Sequence, residues 1–258
     1  MPRLDRISTT PVKGTALHHP EAVRLDADGI AGNRRFHLAD ERGDLLSGYD
    51  EGTLVQVVAA FDPSTDTLRC AFPGGEVVEG TAGVVGDAVA TVFDERVVQG
   101  HVVEGPFSAA FSAYVGRPLR LVRADREGDG PDVHRLSLLS FASVEELGRR
   151  GGYDGDLDGR RFRMNLELGD AAPFEEDTWA EREVGVGDAV VRVLGQIPRC
   201  RVTNQDPATG EHEWSTLTKI AGFRPLIGGS GRGIPFGMYA EVVRPGDVRI
   251  GDPVAPMA

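Results

Sequence analysis

The sequence predicts a mainly β, barrel-like fold with a few helices. Short segments with the composition and alternation of strands follow one another along the chain, and glycine, proline or aspartate separates most of them. The 34 glycines and 16 prolines suit many tight turns. Predicted strands do not alternate regularly with predicted helices, so a doubly wound parallel sheet is disfavoured.

The strand pattern starts at the N-terminus with RLDRIST and continues with the β-branched run TLVQVVAAF at 53–61. DTLRCAF at 66–72 comes next, and the connection FDPSTDT has the chemistry of a hairpin. The later predicted strands are DAVATVF, PLRLVRA, RLSLLS, DAVVRVL, GMYAEVVRP and DVRIGDPV.

Three segments predict helices. FSAAFSAYVG at 107–116 has its apolar residues at helical spacing. SVEELGRRGG begins with Ser143 and Glu146, which have the spacing of a capping box. STLTKIAGF is predicted to start at Ser215 and to end at Gly222.

Two polar, glycine-containing segments read as loops. VRADREGDGPDVH at 122–134 is expected to be a linker or a mobile loop, and LIGGSGRGIPFG at 226–237 is a second candidate. GGSGRG lacks the Lys-Ser/Thr ending and the following helix of a phosphate-binding loop, so that interpretation is disfavoured.

Composition excludes several classes of function. Forty acidic residues against 28 basic ones give a net charge of −12, which disfavours general nucleic-acid binding but still allows a local basic pocket. No apolar stretch approaches the roughly 18–20 residues of a membrane-spanning helix. The first residues lack the apolar core of a signal peptide. We therefore expect a cytoplasmic protein with reduced thiols and no membrane partner.

The two cysteines, Cys70 and Cys200, cannot ligate an iron–sulfur cluster or a cysteine-rich zinc site, and the six histidines show no metal-ligand spacing. Cys200 stands between Arg199 and Arg201, whose positive charge favours a thiolate, and a turn follows it. A thiolate serves as nucleophile, sulfur carrier or soft metal ligand. The alternative is a small buried apolar residue, which the alternating context favours for Cys70.

Basic segments at element ends are candidates for holding a phosphorylated cofactor, because guanidinium forks and ammonium groups bind phosphate. They contribute Lys13, Arg34, Arg35, Arg160, Arg161 and Arg163, the last followed by Asn165. Taken singly, each segment also fits a solvated surface.

An acidic segment, Glu175, Glu176 and Asp177 before Trp179, is a candidate general acid–base set. A solvated acidic turn at the start of a helix is the alternative.

Eight motifs follow one another along the chain: RISTTPVKGT, DGIAGNRRFHLAD, TLVQV, SLLSFASVEEL, RRFRMNLEL, FEEDTWAEREVGVGDAVVRV, PRCRVTNQDPATG and FGMYAEVVRPGDVRIGDPV. In this order they resemble the MOSC family, which is named after the C-terminal domain of molybdenum-cofactor sulfurase. Within it they resemble the two-part members typified by the mitochondrial amidoxime reducing component. The resemblance implies an N-terminal β-barrel portion over 1–120 and a MOSC domain over 121–258.

The resemblance implies a molybdenum cofactor, molybdopterin, whose metal is held by Cys200. A soft thiolate suits a high-valent molybdenum that is bound mainly by sulfur and oxo groups. The cofactor-binding positions that the resemblance implies are Lys13, Arg35, Arg163 and Asn165, with Arg34 and Arg199 as adjacent candidates. We expect Lys13, Arg35 and Arg163 to converge near Cys200.

The chain also departs from its relatives. LSGYDEGTL lacks the arginine that relatives commonly place before Leu-Val, which weakens one cofactor or substrate contact. No cysteine set for an iron–sulfur cluster follows the MOSC motifs, so electrons are expected from a separate protein.

The leading hypothesis is therefore an oxidoreductase, independent of pyridoxal phosphate, that reduces small N-hydroxylated or N-oxygenated compounds and releases the oxygen as water. Cys200 would be the metal ligand, and Glu176 or Asp177 would relay protons. Two alternatives stay open. In one, Cys200 carries a persulfide and passes on its sulfur without a metal. In the other, the fold has lost the cofactor and binds a small molecule or a pathway protein.

Overall fold

The computed structural model describes residues 1–83, 85–93, 96–128, 130, 133–226 and 233–257. Within these ranges the chain forms seventeen β-strands and three α-helices. The predicted mainly β fold with few helices is confirmed.

The helices are α1 (Phe107–Val115), α2 (Phe141–Gly151) and α3 (Thr216–Ala221), and short 3₁₀ helices cover Gly52–Gln56, Gly159–Phe162, Glu175–Trp179 and Arg201–Asn204. The strands are β1 (Arg3–Ile7), β2 (Ala22–Asp26), β3 (Gly29–Ile30), β4 (Phe36–Ala39), β5 (Val58–Asp62), β6 (Thr67–Ala71), β7 (Val77–Thr81), β8 (Val85–Phe93), β9 (Arg96–Val103), β10 (Arg120–Ala124), β11 (Leu136–Ser140), β12 (Leu166–Gly169), β13 (Glu183–Val186), β14 (Ala189–Arg199), β15 (Ile234–Arg244), β16 (Gly246–Arg249) and β17 (Val254–Pro256).

The largest sheet has seven strands in the order β1-β12-β11-β15-β14-β13-β17 and is nearly closed into a barrel. Its two outer strands meet, because the Leu4 amide donates to the Asp252 carbonyl at 2.8 Å and the Val254 amide donates to the Pro2 carbonyl at 2.9 Å. This closure leaves few unpaired backbone groups at the sheet edges.

Strand β11 is buried along its whole length, because both of its faces are covered. Leu136 and Leu138 pack into the barrel interior. Leu139 lies in a second cluster with Leu147 of α2 and Ile220 of α3. The helices therefore cover the outside of the barrel near β11 and leave the strand ends to carry the site.

Two smaller sheets, β4-β10-β9-β8 and β5-β6-β7, share a core with α1. Phe107 and Phe111 of this helix are fully buried there, as the helical spacing predicts. The predicted hairpin is confirmed by the antiparallel pairing of β5 with β6.

The structure departs from the predicted strand over 53–61. The strand begins only at Val58, and Gly52–Gln56 forms a 3₁₀ turn that buries Leu54. The turn packs against a distant loop, since a Cβ on Gly52 would clash with the Gly210 carbonyl oxygen. Tertiary packing has overridden β-propensity here.

Helix α2 starts two residues earlier than its sequence pattern predicts. The N-cap is Ser140, whose hydroxyl accepts from the Ser143 amide at 3.1 Å. Glu146 is not its capping partner, because its carboxylate accepts from Arg149 and Arg150 instead. The predicted ends of α1 and α3 agree with the structure to within two residues.

Of the predicted loops, 122–124 belongs to β10 and 234–237 belongs to β15. Residues 129, 131, 132 and 227–232 lie outside the described part of the chain. The division into 1–120 and 121–258 stays a prediction. N-terminal strands join C-terminal ones, since β1 pairs with β12 and β2 pairs with β16.

Across the described residues, no helix combines the length and apolar character needed to cross a bilayer. The cytoplasmic location stays a prediction.

The β1–β12 pairing encloses a charged pair. Glu167 has a side-chain exposure of 2%, and Arg6 donates its Nε and Nη2 to the two carboxylate oxygens, each at 2.5 Å. The Ser8 hydroxyl adds a longer bond of 3.4 Å. Removing the cation would leave a buried carboxylate without compensation.

We expect Arg6→Met to lower the free energy of unfolding by about 3–5 kcal/mol in urea titrations. The matched control is Arg3→Met on the same strand, whose pairs with Asp5 and Asp170 are exposed, and it should cost far less. Equal losses in the two variants would contradict the role given to the buried pair.

Candidate functional site

Cys200 lies where β14 ends. The last pairs of β14 with β15 are Pro198 with Pro235 and Arg199 with Ile234, and a 3₁₀ helix starts at Arg201. The Cys200 carbonyl accepts from the amide and the hydroxyl of Thr203, at 3.3 and 3.0 Å. Its thiol is exposed, so the alternative of a small buried residue is wrong for this cysteine.

Cys70 has the opposite surroundings. It is fully buried in β6, and this burial raises the pKa of its thiol to about 12. A thiol in this state is neutral at physiological pH and unreactive. Cys70 is therefore a small buried residue, as its alternating sequence context predicts.

Arg199, the neighbour of Cys200, is held entirely by neutral acceptors. It donates Nε to the Phe236 carbonyl at 2.6 Å, Nη1 to the Phe162 carbonyl at 3.1 Å and Nη2 to the Met164 sulfur at 2.8 Å. The guanidinium also lies 5.3 Å from the centre of the Phe162 ring. In the described part of the chain it contacts no carboxylate.

The electrostatics of Arg199 follow from this setting. Burial lowers its pKa to about 10, Tyr239 and Cys200 act in the opposite direction, and Arg34 lowers it further. The group therefore stays protonated at neutral pH. A cation that lacks an acidic partner beside an exposed thiol favours an anion at this position.

Two more arginines come from distant segments, and one of them, Arg34, is close enough to lower the pKa of Arg199. Arg34 donates Nη2 to the Arg163 carbonyl at 2.8 Å, and Arg163 donates Nη2 to the Thr15 carbonyl at 2.6 Å. Both have φ of 51°, in the left-handed region that disfavours residues with a side chain. Strained backbone of this kind concentrates at functional sites. We call Arg34, Arg163 and Arg199 the arginine trio.

The expected convergence of Lys13, Arg35 and Arg163 at Cys200 stays a prediction, and the structure gives Arg35 charged neighbours of its own. Its guanidinium lies in the electrostatic surroundings of Arg123 and Asp66, and its Nη1 is buried without a hydrogen-bond partner among the described residues. Arg34 lies in the turn before β4, and of these two adjacent arginines it is Arg34 that donates to the Arg163 carbonyl.

Lys13 places its ammonium 5.2 Å from the centre of the Phe93 ring. Burial and this charge lower the pKa of His37 to about 4. A role for Lys13 in binding a cofactor stays a prediction.

Other predicted site residues are engaged by the protein. Asn165 is buried and ties three segments together, donating to the Ser8 carbonyl at 3.2 Å and accepting from the Ser137 hydroxyl at 3.1 Å. Arg160 pairs with Asp158 at 2.6 Å. These contacts hold the fold, and cofactor binding by Asn165 stays a prediction.

The acidic candidates are also occupied. Glu176 is buried and accepts from the Ser143 hydroxyl at 2.7 Å beside the start of α2, and burial raises its pKa. Asp177 pairs with Arg224 at 2.6 Å. Among the described residues neither carboxylate contacts Cys200 or the arginine trio, so their proton-relay role stays a prediction.

The sequence analysis does not predict the contact between the Cys200 loop and the segment LSGYDEGTL. Arg201 donates to the Tyr49 hydroxyl at 2.7 Å, and Gln205 donates to the Gly48 carbonyl at 2.9 Å. The segment LSGYDEGTL therefore packs against the Cys200 loop. Tyr49 is 49% exposed. In the sequence, an aromatic residue next to a glycine in a polar segment is the signal that could have pointed to this contact.

The ranges that the structure describes contain no cluster of three or more histidine, cysteine or acidic side chains able to hold a metal ion.

We expect iodoacetamide at neutral pH to alkylate Cys200 in the folded protein and Cys70 only after unfolding, because the thiolate is the nucleophile and Cys70 is buried as a neutral thiol. Peptide mapping by mass spectrometry with and without urea measures this. Equal labelling of both cysteines in the folded protein would contradict their assignment.

Comparison with known proteins shows which family the chain resembles. The family model of the MOSC domain matches residues 125–255. Mitochondrial amidoxime reducing component 2 of Rattus norvegicus is 33% identical over 129 residues, which are 48% of this chain and 37% of that protein. Molybdenum cofactor sulfurase of Danio rerio is 25% identical over an alignment of 270 positions, gaps included, which covers 89% of this chain and 30% of that protein.

Among solved structures, that of the YuaD protein from Bacillus subtilis aligns with this chain at 12% identity and a TM-score of 0.46. The alignment covers 98% of this chain and 94% of the YuaD chain. The matched part of the chain spans only 30–37% of the length of these curated relatives. Since the family match covers half of the sequence and includes Cys200, the chain belongs to the MOSC domain family.

Proposed function

We propose that this protein is a molybdenum-cofactor-dependent reductase of small N-hydroxylated or N-oxygenated compounds, with the Cys200 thiolate as the protein ligand of the metal. The observation that carries the proposal is an exposed thiol at a strand end beside Arg199, a cation with only neutral acceptors. The curated relatives support it by name, as amidoxime reducing components and molybdenum cofactor sulfurases.

The residues present fit such a cofactor. A thiolate is the soft ligand that suits molybdenum, and a pterin dithiolene brings further sulfur ligands of its own. The phosphate of the pterin needs cations, and the arginine trio offers guanidinium groups that form charge-assisted hydrogen bonds. A bound phosphate would also compensate the charge of Arg199, which the carbonyls of Phe162 and Phe236 and the Met164 sulfur solvate without neutralising.

When bound, the cofactor would supply two-electron chemistry that breaks the N–O bond, consuming two electrons and two protons and releasing water. The chain itself binds and orients. Cys200 would hold the metal, and the arginine trio would hold the anionic end of the cofactor. Tyr49 and Arg201 lie beside the exposed Cys200, where a substrate would enter. Electrons would come from a separate donor protein, and solvent reaches the exposed thiol side to supply protons.

A second candidate is a sulfur carrier in which Cys200 holds a persulfide. The observation that favours it is the length of the match to the sulfurase, 89% of this chain against 48% for the reducing component. An exposed thiol can reach an acceptor on another protein, and transfer of the outer sulfur leaves the Cys200 thiolate behind.

The decisive variant is Cys200→Ser, expressed in a host that makes the cofactor. We expect wild-type protein to retain stoichiometric molybdenum and Cys200→Ser to lose it, because a hydroxyl is a harder and far less acidic ligand than a thiol. The control Cys70→Ser should keep the metal and lose some stability, since it places a hydroxyl in a packed strand. Elemental analysis and circular dichroism measure both.

If wild-type protein contains no molybdenum but carries a persulfide on Cys200, the reductase proposal is wrong and the sulfur carrier takes its place. Wild-type protein with neither would leave a binding protein of the MOSC fold.

A further inference from the structure

We propose that Arg161 is the positioning residue for Cys200, and that it acts through Thr203 on the loop that carries the thiol. The inference deepens the proposed function and rests on Cys200 being the functional thiol. The sequence pattern groups Arg161 with the candidate phosphate-binding cations. In the structure, however, its side chain points into the protein and is buried.

The guanidinium of Arg161 is 1% exposed and gathers four partners from three segments. Its Nε donates to the Asp158 carbonyl at 3.1 Å, and its Nη2 donates to Glu213 at 2.7 Å. Its Nη1 donates to the Thr203 carbonyl at 3.3 Å and to the Thr216 hydroxyl at 3.2 Å. The Thr216 hydroxyl itself donates to that Thr203 carbonyl at 2.7 Å, so the carbonyl is held from two sides.

Thr203 carries the constraint to the thiol. While its carbonyl is held by Arg161, its amide and its hydroxyl both donate to the Cys200 carbonyl, at 3.3 and 3.0 Å. Thr203 is buried, whereas Cys200 is exposed. The exposed thiol is thus anchored by a buried residue three positions further along the chain.

The charge of Arg161 is balanced within the protein, unlike that of Arg199. Desolvation raises the pKa of Glu213, but the hydrogen bonds from Arg161 and Tyr153 outweigh it and leave the pKa below its ordinary value. Glu213 is therefore ionised at neutral pH. The pair is built to hold the loop and does not offer a free cation for phosphate.

Only arginine satisfies this geometry. Its planar fork presents five N–H donors in fixed directions. The four hydrogen bonds of Arg161 described above come from all three of its nitrogens. A lysine would keep the charge beside Glu213 but could not reach the Asp158 and Thr203 carbonyls as well.

The same turn also sets one member of the arginine trio. Arg161 lies in the 3₁₀ helix Gly159–Phe162, and Arg163 follows as its left-handed C-cap, with its amide donating to the Arg160 carbonyl at 2.9 Å. Arg161 points inward to the Cys200 loop, and Arg163 reaches the Thr15 carbonyl. One turn therefore fixes the thiol relative to a cation of the site.

The test uses full-length, metal-free protein carrying Arg161→Lys or Arg161→Met. The matched control is Arg160→Met, its neighbour in the same helix, which is 40% exposed and paired with Asp158. The first readout is hydrogen exchange of a peptide covering residues 200–205. We expect it to be about tenfold faster in Arg161→Met, intermediate in Arg161→Lys and unchanged in Arg160→Met.

The second readout is the ratio of Cys200 alkylation rates with anionic iodoacetate and neutral iodoacetamide, since the ratio reports the positive field at the thiol. We expect Arg161→Lys to lower this ratio by about threefold or more although the charge is kept, because the freed loop moves the thiol out of the field of Arg199. Arg160→Met should leave the ratio at the wild-type value. If Arg161→Met does not fold, Arg161→Lys carries both readouts.

Faster exchange confined to 200–205, together with the lower ratio, supports the positioning role. Unchanged exchange and ratio in Arg161→Lys, or faster exchange spread evenly over the chain, overturns it. The molybdenum content of wild-type protein is independent of both readouts, so failure of the proposed function and failure of this inference are distinguishable.

Discussion

The pairing of the two long strands β14 and β15 is the constraint on which the site depends. The ladder ends at Arg199 and Ile234, so the chain must turn at Cys200. Across the same pairing, the Arg199 guanidinium reaches the carbonyl of Phe236, a fully buried residue of β15. The end of this strand pair therefore places the thiol and its neighbouring cation together.

The hydrogen-bond acceptors of three arginines, Arg6, Arg161 and Arg199, differ in charge, and this difference separates the arginines paired within the protein from the one that is not. Arg6 has Glu167 and Arg161 has Glu213, so both cations are neutralised inside the protein. Arg199 has carbonyls and a thioether in their place. Desolvating an unpaired cation is costly, and a protein keeps one where an external anion completes the arrangement. This contrast, more than the number of basic residues, is the reason for proposing that Arg199 faces the anionic end of a cofactor.

Short sequence patterns correctly predicted those elements whose structure depends mainly on residues close together in the chain. The apolar spacing of α1, the hairpin of β5 and β6 and the position of Cys200 at a strand end followed from neighbours in the sequence. The hydrogen bond from Arg34 to the Arg163 carbonyl joins residues 129 positions apart, and no local pattern in the sequence predicts it. The pairing of Arg161 with Glu213 spans 52 positions and belongs to the folded chain alone.

Whether Cys200 binds molybdenum can be measured directly by X-ray absorption at the molybdenum edge. The sample is Cys70→Ser protein labelled with selenocysteine, so that position 200 carries the only selenium. We expect a selenium neighbour within bonding distance of molybdenum, and its loss when Cys200→Ser is added. Molybdenum bound without a selenium neighbour would contradict the proposed role of Cys200.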